Sequence, residues 1–124
     1  IASYADVPDI ALDLIEVADK PTTIIYPGAK RLAPNLIAED GTIGIRITRE
    51  EFTRSLIFRY NKPIVSTSAN ISGEPSPHFF GEISEEIKNA VDYIVDYRRN
   101  DHKPAAPSSI IKLGMGGEIQ IIRK

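Results

Sequence analysis

The sequence contains no cysteine among its 124 residues, which excludes disulfides and thiolate-held metal and suits a reducing compartment, hence a cytoplasmic protein. It has no apolar run near the ~20 residues that cross a bilayer as a helix, and no signal-peptide pattern at its start, so no membrane partner is expected. A dominant charge is lacking too. Fifteen Lys and Arg against 17 Asp and Glu leave a net charge of −2, which gives no global footprint for nucleic acid. The short basic pairs Lys30-Arg31 and Arg98-Arg99 read as solvated loop positions. His78 and His102 have no partner at metal-ligand spacing, and there is no nucleophile–base signature. Neither a Walker-type phosphate loop nor a GxGxxG turn is present.

The chain does have enough apolar residues for one core. At 42% hydrophobic content it fits a single domain over residues 1–124, and a chain of this size buries roughly two-thirds of its unfolded surface. Ile1 leads straight into a polar stretch, which reads as a fragment or a processed product.

Periodicity predicts a helix over residues 7–18, with Ile10, Ala11, Leu14 and Ile15 on one face, Asp6 as N-cap and Pro8 in the first turn. Lys20-Pro21 ends it, and residues 23–26 form a short strand closed by Pro27-Gly28. Residues 32–38 suit a helical turn. After the turn at Asp40-Gly41, residues 42–47 alternate, with Ile43, Ile45 and Ile47 on one face and Thr42, Gly44 and Arg46 on the other. Thr48 and Glu51 form a capping box for a helix through Arg59 whose buried stripe is Phe52, Leu56 and Tyr60. Residues 64–66 read as a buried strand, residues 84–90 as a helix with Ile83 and Ile87 facing inward, and residues 91–95 and 109–113 as strands. The loop Gly114-Met115-Gly116-Gly117 then turns into a strand over residues 118–122, which makes the last pair a hairpin. Strands alternating with helices and ending in a strand pair imply an α/β fold, an open mixed β-sheet flanked by helices.

Residues 66–76, STSANISGEPS, carry five hydroxyls and an amide just past the 64–66 strand, where open α/β sheets bind ligands. Small side chains let backbone N–H groups approach a phosphate, and Ser66 and Ser68 share a face if the strand continues. An ordinary polar loop has the same composition. Asn70-Ile71-Ser72 also matches a glycosylation sequon, a coincidence without a secretory signal. Arg46 is an arginine within a strand, and its guanidinium needs an acidic neighbour, a bound carboxylate or phosphate, or an edge position open to water. Ser108-Ser109 after Pro107, and Arg123 near the chain end, are weak signals alone.

Together these pieces resemble the YrdC-like threonylcarbamoyl-AMP synthases. The specific match is STSANISGEPS to that family's TSAN-x-SG segment. Residues 21–25 are similar to its early Thr strand, Gly44-Ile45-Arg46 to its V-R strand, residues 107–111 to its P-S-T-I-V segment, and residues 121–123 to its closing I-x-R, all in family order. The resemblance implies an enzyme that condenses L-threonine with bicarbonate and adenylates the carbamate with ATP, releasing pyrophosphate. Its product passes to a separate tRNA-modifying transferase complex.

The resemblance places Thr42, Ser68, Ser76 and Arg123 at ATP, and Arg46, Ser66 and Ser108 at threonine. Asn70 holds the loop in shape, since Asn favours such turns. Family members use Mg2+ on the ATP phosphates, and no dedicated protein cage for it is visible. No residue stands out as a catalytic base.

The family's N-terminal Thr/Tyr strand and its Lys/Arg-Pro phosphate grip have no counterpart here. The chain therefore corresponds to the C-terminal two-thirds of the domain, a fold truncated at its N-terminus, and is expected to be inactive alone and open to dimerisation through exposed sheet edges. The usual Pro-Gly-Pro is replaced by Asp19-Lys20-Pro21, and a late Gly-Gly by Tyr97-Arg98-Arg99. Two other readings stay open: a non-catalytic module that binds RNA or nucleotide, and the YrdC-like part of a carbamoyl-transfer maturation protein.

Overall fold

A computed structural model describes all residues, 1–124. It is an α/β fold with an open, mixed four-stranded sheet and three α-helices. The chain divides into two compact units, one made of Ile1–Arg59 with Pro107–Lys124, the other of Tyr60–Ala106.

The first unit holds the whole sheet. Its strands are β1 (Thr22–Tyr26), β2 (Ile43–Arg46), β3 (Ser109–Leu113) and β4 (Ile119–Arg123), in the order β2-β1-β3-β4. β1 runs parallel to β3 and antiparallel to β2, while β3 and β4 form the expected hairpin, closed by Gly114 N–H donating to the Glu118 carbonyl at 3.0 Å. Alternation sends Ile24 and Tyr26 to one face, where they are fully buried with Ala5, Ala11 and Leu113. Ile10, Leu14 and Ile15 of helix α1 (Ile10–Val17) pack on this cluster, as do Ile43, Ile45 and Ile111. Burying a side chain such as Ile24 contributes about 2 kcal/mol by removing its surface from water.

Helix α1 starts later than its periodicity suggests. Asp6 is not the N-cap: its N–H donates to the Pro27 carbonyl and its carboxylate pairs with Lys30. Asp9 takes the cap position without a side-chain bond. The other end is closed from outside the helix, where the Arg49 guanidinium donates to the carbonyls of Ala18 (2.8 Å) and Ile15 (2.7 Å) that a helix terminus leaves unpaired. The turn expected over 32–38 is a 3₁₀ turn, Pro34–Leu36.

Helix α2 (Glu51–Tyr60) departs from expectation in two ways. The cap is Glu50, whose carboxylate accepts from the N–H groups of Phe52 (3.1 Å) and Thr53 (2.8 Å), while Thr48 Oγ1 accepts the N–H of Glu50 one step upstream. The supposed buried stripe is also open to water: Phe52, Leu56 and Tyr60 are 37%, 45% and 56% exposed. Helical spacing tells which side chains share a face, but not whether any element covers it.

The second unit contains helix α3 (Glu85–Ala90), N-capped by Ser84, and a 3₁₀ turn, Phe80–Glu82, but no strand. Ile83 and Ile87 are half-buried. Neither segment 64–66 nor 91–95 forms a strand, and Ile64, Val65, Val91 and Val95 are exposed. A β-branched run becomes a strand only where a partner edge is available. At 94–95 the carbonyls instead accept from the Arg99 guanidinium, at 2.8 and 3.0 Å. Lys88 and Arg99 stand over the Phe80 ring at 4.6 and 5.2 Å, and Phe79 meets His102 edge-to-face at 5.1 Å.

Candidate functional site

The face of the sheet opposite α1 carries Thr23, Arg46, Lys112 and Arg123, with Ile25 and Ile110 among them. Residues that pair across strands point to the same side, and Thr23 pairs with Arg46 on β2 and with Ile110 on β3, which in turn pairs with Arg123 on β4. Ser108, two residues before Ile110, continues that side. One row thus crosses the sheet from Arg46 through Thr23 and Ser108 to Arg123.

Its right half is hydrogen-bonded. Thr23 Oγ1 lies 2.8 Å from Ser108 Oγ, and Arg123 donates from Nε to the Ser108 carbonyl at 2.8 Å and from Nη2 to its hydroxyl at 3.5 Å. Arg46 sits exposed at the end of the edge strand β2 and pairs with no carboxylate of the chain. An arginine so placed presents its planar fork to whatever anion arrives.

Thr42 precedes β2 on the same face. It is buried, and its hydroxyl donates to Asp40 at 2.6 Å while its N–H reaches the same oxygen at 3.2 Å. Lys112 Nζ lies 2.5 Å from the other Asp40 oxygen. The hydrogen bond from Lys112, followed by those from Thr42, holds the Asp40 carboxyl at about 2, well below its ordinary range. Ser109 points to the opposite, core-side face, where its buried hydroxyl has no partner.

The remaining residues singled out by sequence belong to the second unit. Ser66 and Ser68 are exposed in irregular backbone, so the strand alternation that would have placed them on a common face does not apply. The next loop is tied by Asn70, whose side-chain amide donates to the carbonyls of Ile71 and Glu74, both at 3.0 Å. Ser76 Oγ donates to Asn70 Oδ1 at 3.4 Å, and Glu74 N–H closes the turn onto the Ile71 carbonyl at 2.9 Å. No group of three His, Cys, Asp or Glu side chains is arranged to hold a metal ion.

The structure therefore brings together Ser108 and Arg123 directly, Arg46 with them along one sheet face, and Asn70 with Ser76. Sequence reasoning missed Thr23, Asp40 and Lys112. Alternation within residues 22–26 and 109–113 puts Thr23 and Lys112 off the apolar face, and that is the signal that could have found them.

The Sua5/YciO/YrdC family model, described as "Telomere recombination", matches residues 1–124. A Methanocaldococcus jannaschii protein provisionally named threonylcarbamoyl-AMP synthase is 40% identical over 114 residues, which cover 91% of this chain and 52% of that protein. Proteins named threonylcarbamoyl-AMP synthase from Idiomarina loihiensis and Pseudoalteromonas translucida are 33% and 28% identical, over 61% and 90% of this chain and 41% and 58% of theirs. The chain thus spans about half the length of these curated relatives. No solved structure matches it. No helix is long and apolar enough to cross a membrane. With a family model covering every residue, the chain belongs to the Sua5/YciO/YrdC family.

Proposed function

We propose that the protein carrying this chain is an L-threonylcarbamoyladenylate synthase. The reaction joins the threonine amine to bicarbonate with loss of water. A carbamate oxygen then attacks the α-phosphorus of ATP and displaces pyrophosphate. The observation that carries this reading is the unpaired Arg46 beside the Thr23–Ser108–Arg123 row, in a chain whose relatives bear the name of this enzyme. Such a reaction depends on placing reactants and stabilising charge, which asks for directional donors and fixed cations.

In this reading Arg46 binds the threonine carboxylate through its fork, with Ser108 beside it on the sheet, and Ser66 of the second unit is assigned to threonine by its motif alone. Ser68, Ser76 and Arg123 contact the nucleotide. Thr42 contacts it through its oxygen, since its proton goes to Asp40. Asn70 keeps its loop in shape through the two carbonyls it ties. Mg2+ rides on the phosphate oxygens and water, and the Asp40 carboxylate is engaged by Lys112 and Thr42.

The test is pyrophosphate release by the intact protein with ATP, Mg2+, bicarbonate and threonine. Threonine-dependent release that is lost in Arg46→Ala and Ser68→Ala is the expected result. Release independent of threonine, or an intact protein that releases none, would remove the synthase reading.

A further inference from the structure

The synthase reading gives work to Arg46, Ser108 and Arg123 and leaves out the residue that lies among them. Thr23 pairs with Arg46 across the β1–β2 ladder, and its hydroxyl sits 2.8 Å from that of Ser108. A serine hydroxyl has one proton and two lone pairs, and an arginine can only donate. Arg123 Nη2 approaches one lone pair of Ser108 at 3.5 Å while Nε fixes the Ser108 carbonyl at 2.8 Å. Thr23 is placed to fill the second lone pair. Both acceptor positions are then taken, and the Ser108 proton is left for an outside acceptor.

The rotamer that does this is set by the neighbouring strand. A Cβ added at Gly44 would lie 3.3 Å from the Thr23 methyl carbon, so the methyl fills the space over Gly44 and the hydroxyl turns toward Ser108. Gly44 and Arg46 are successive residues of one face of β2, so the same strand that seats the Thr23 methyl carries the arginine.

We propose that Thr23 is a positioning residue for the amino-acid substrate: by donating to Ser108 it makes that serine an obligate donor to the substrate carboxylate held at Arg46. The inference rests on the synthase reading and deepens it. Thr23 touches no substrate itself, and its effect is confined to the amino acid, not the nucleotide.

The experiment compares the intact protein with Thr23→Val and Thr23→Ser by steady-state kinetics and by direct threonine binding. Valine keeps the branched shape and the strand preference while losing the hydroxyl. The expected result is a threonine KM raised about ten-fold in Thr23→Val, as for one lost hydrogen bond, with the ATP KM unmoved. Thr23→Ser restores the threonine KM. Thermal melts accompany each variant, and Thr23→Ala replaces the valine variant if that one melts early. An unchanged threonine KM, or equal rises in both KM values that serine does not reverse, overturns the role of Thr23 and leaves the synthase reading standing. A wild-type protein that neither turns over nor binds threonine overturns the reading, and the inference with it.

Discussion

Lys112 and Asp40, 72 residues apart in sequence, meet with Nζ 2.5 Å from Oδ2, and the carboxylate they share with Thr42 ties the β1–β2 turn to β3. The folded-state carboxyl sits at about 2 against an ordinary 3.8, so the unfolded chain takes up the proton first on acidification. The stabilisation from this carboxylate is complete above the unfolded value and fades as pH falls through about 2. Thermal melts of wild type and Asp40→Asn from about pH 6 downward should differ by a constant amount until about pH 4 and converge below it. A difference that persists unchanged to the acid end would mean the carboxylate is not what Lys112 and Thr42 hold.

The core side of the sheet predicts a sharp contrast between two apolar substitutions. Ile24→Ala removes a fully buried side chain beneath α1 and should cost about 3 kcal/mol in urea unfolding. Phe58→Ala removes a larger side chain that is 84% exposed and should stay within about 0.5 kcal/mol. Equal costs would mean that the α2 face bearing Phe58 is covered in solution.

Helix α2 should depend on Glu50 and not on Glu51. Glu50→Ala removes the acceptor of the Phe52 and Thr53 amides and should cost about 1 kcal/mol, as for loss of an N-cap. Amide exchange by NMR should show those two N–H groups losing protection in Glu50→Ala and keeping it in Glu51→Ala. Loss of protection only in the Glu51 variant would restore the Thr48–Glu51 capping box that the sequence pattern suggests.

Gly28 carries two separable constraints. Its φ of +64 disfavours any side chain, and an added Cβ would fall 2.0 Å from the Asp6 carboxylate oxygen. Gly28→Ala should therefore destabilise by about 2 kcal/mol or more. Adding Asp6→Ala should recover only part of that loss, because the backbone cost remains. Complete recovery in the double variant would mean the steric contact was the whole effect.

Where local pattern decides the outcome, the sequence was a good guide. Strand β3 lies at the residues its pattern marks, β1 and β4 within one residue of theirs, and α1 within three at its start. The mixed sheet followed from the same alternation. The failures share a cause. Whether Phe52, Leu56, Ile64 or Val65 is covered depends on which other element lies against it, and no short window holds that information. The site was legible in part for the same reason. Arg46, Ser108 and Arg123 are visible as motif residues, but the contact of Thr23 with Ser108 joins positions 85 apart, and only the parallel β1–β3 register reveals it.

That register also fixes a timetable. β1 gains its β2 neighbour as soon as residue 46 is available, yet its other flank waits for residues 109–112, beyond the whole of the second unit. A chain made from its N-terminus must therefore carry Thr22–Tyr26 with one bare ladder edge until the residues of the second unit have been made. The final closure spans a long loop, the kind of contact that slows folding. Emergence of residues 109–112, rather than of Ile10–Val17, is the moment at which β1 can gain its second neighbour.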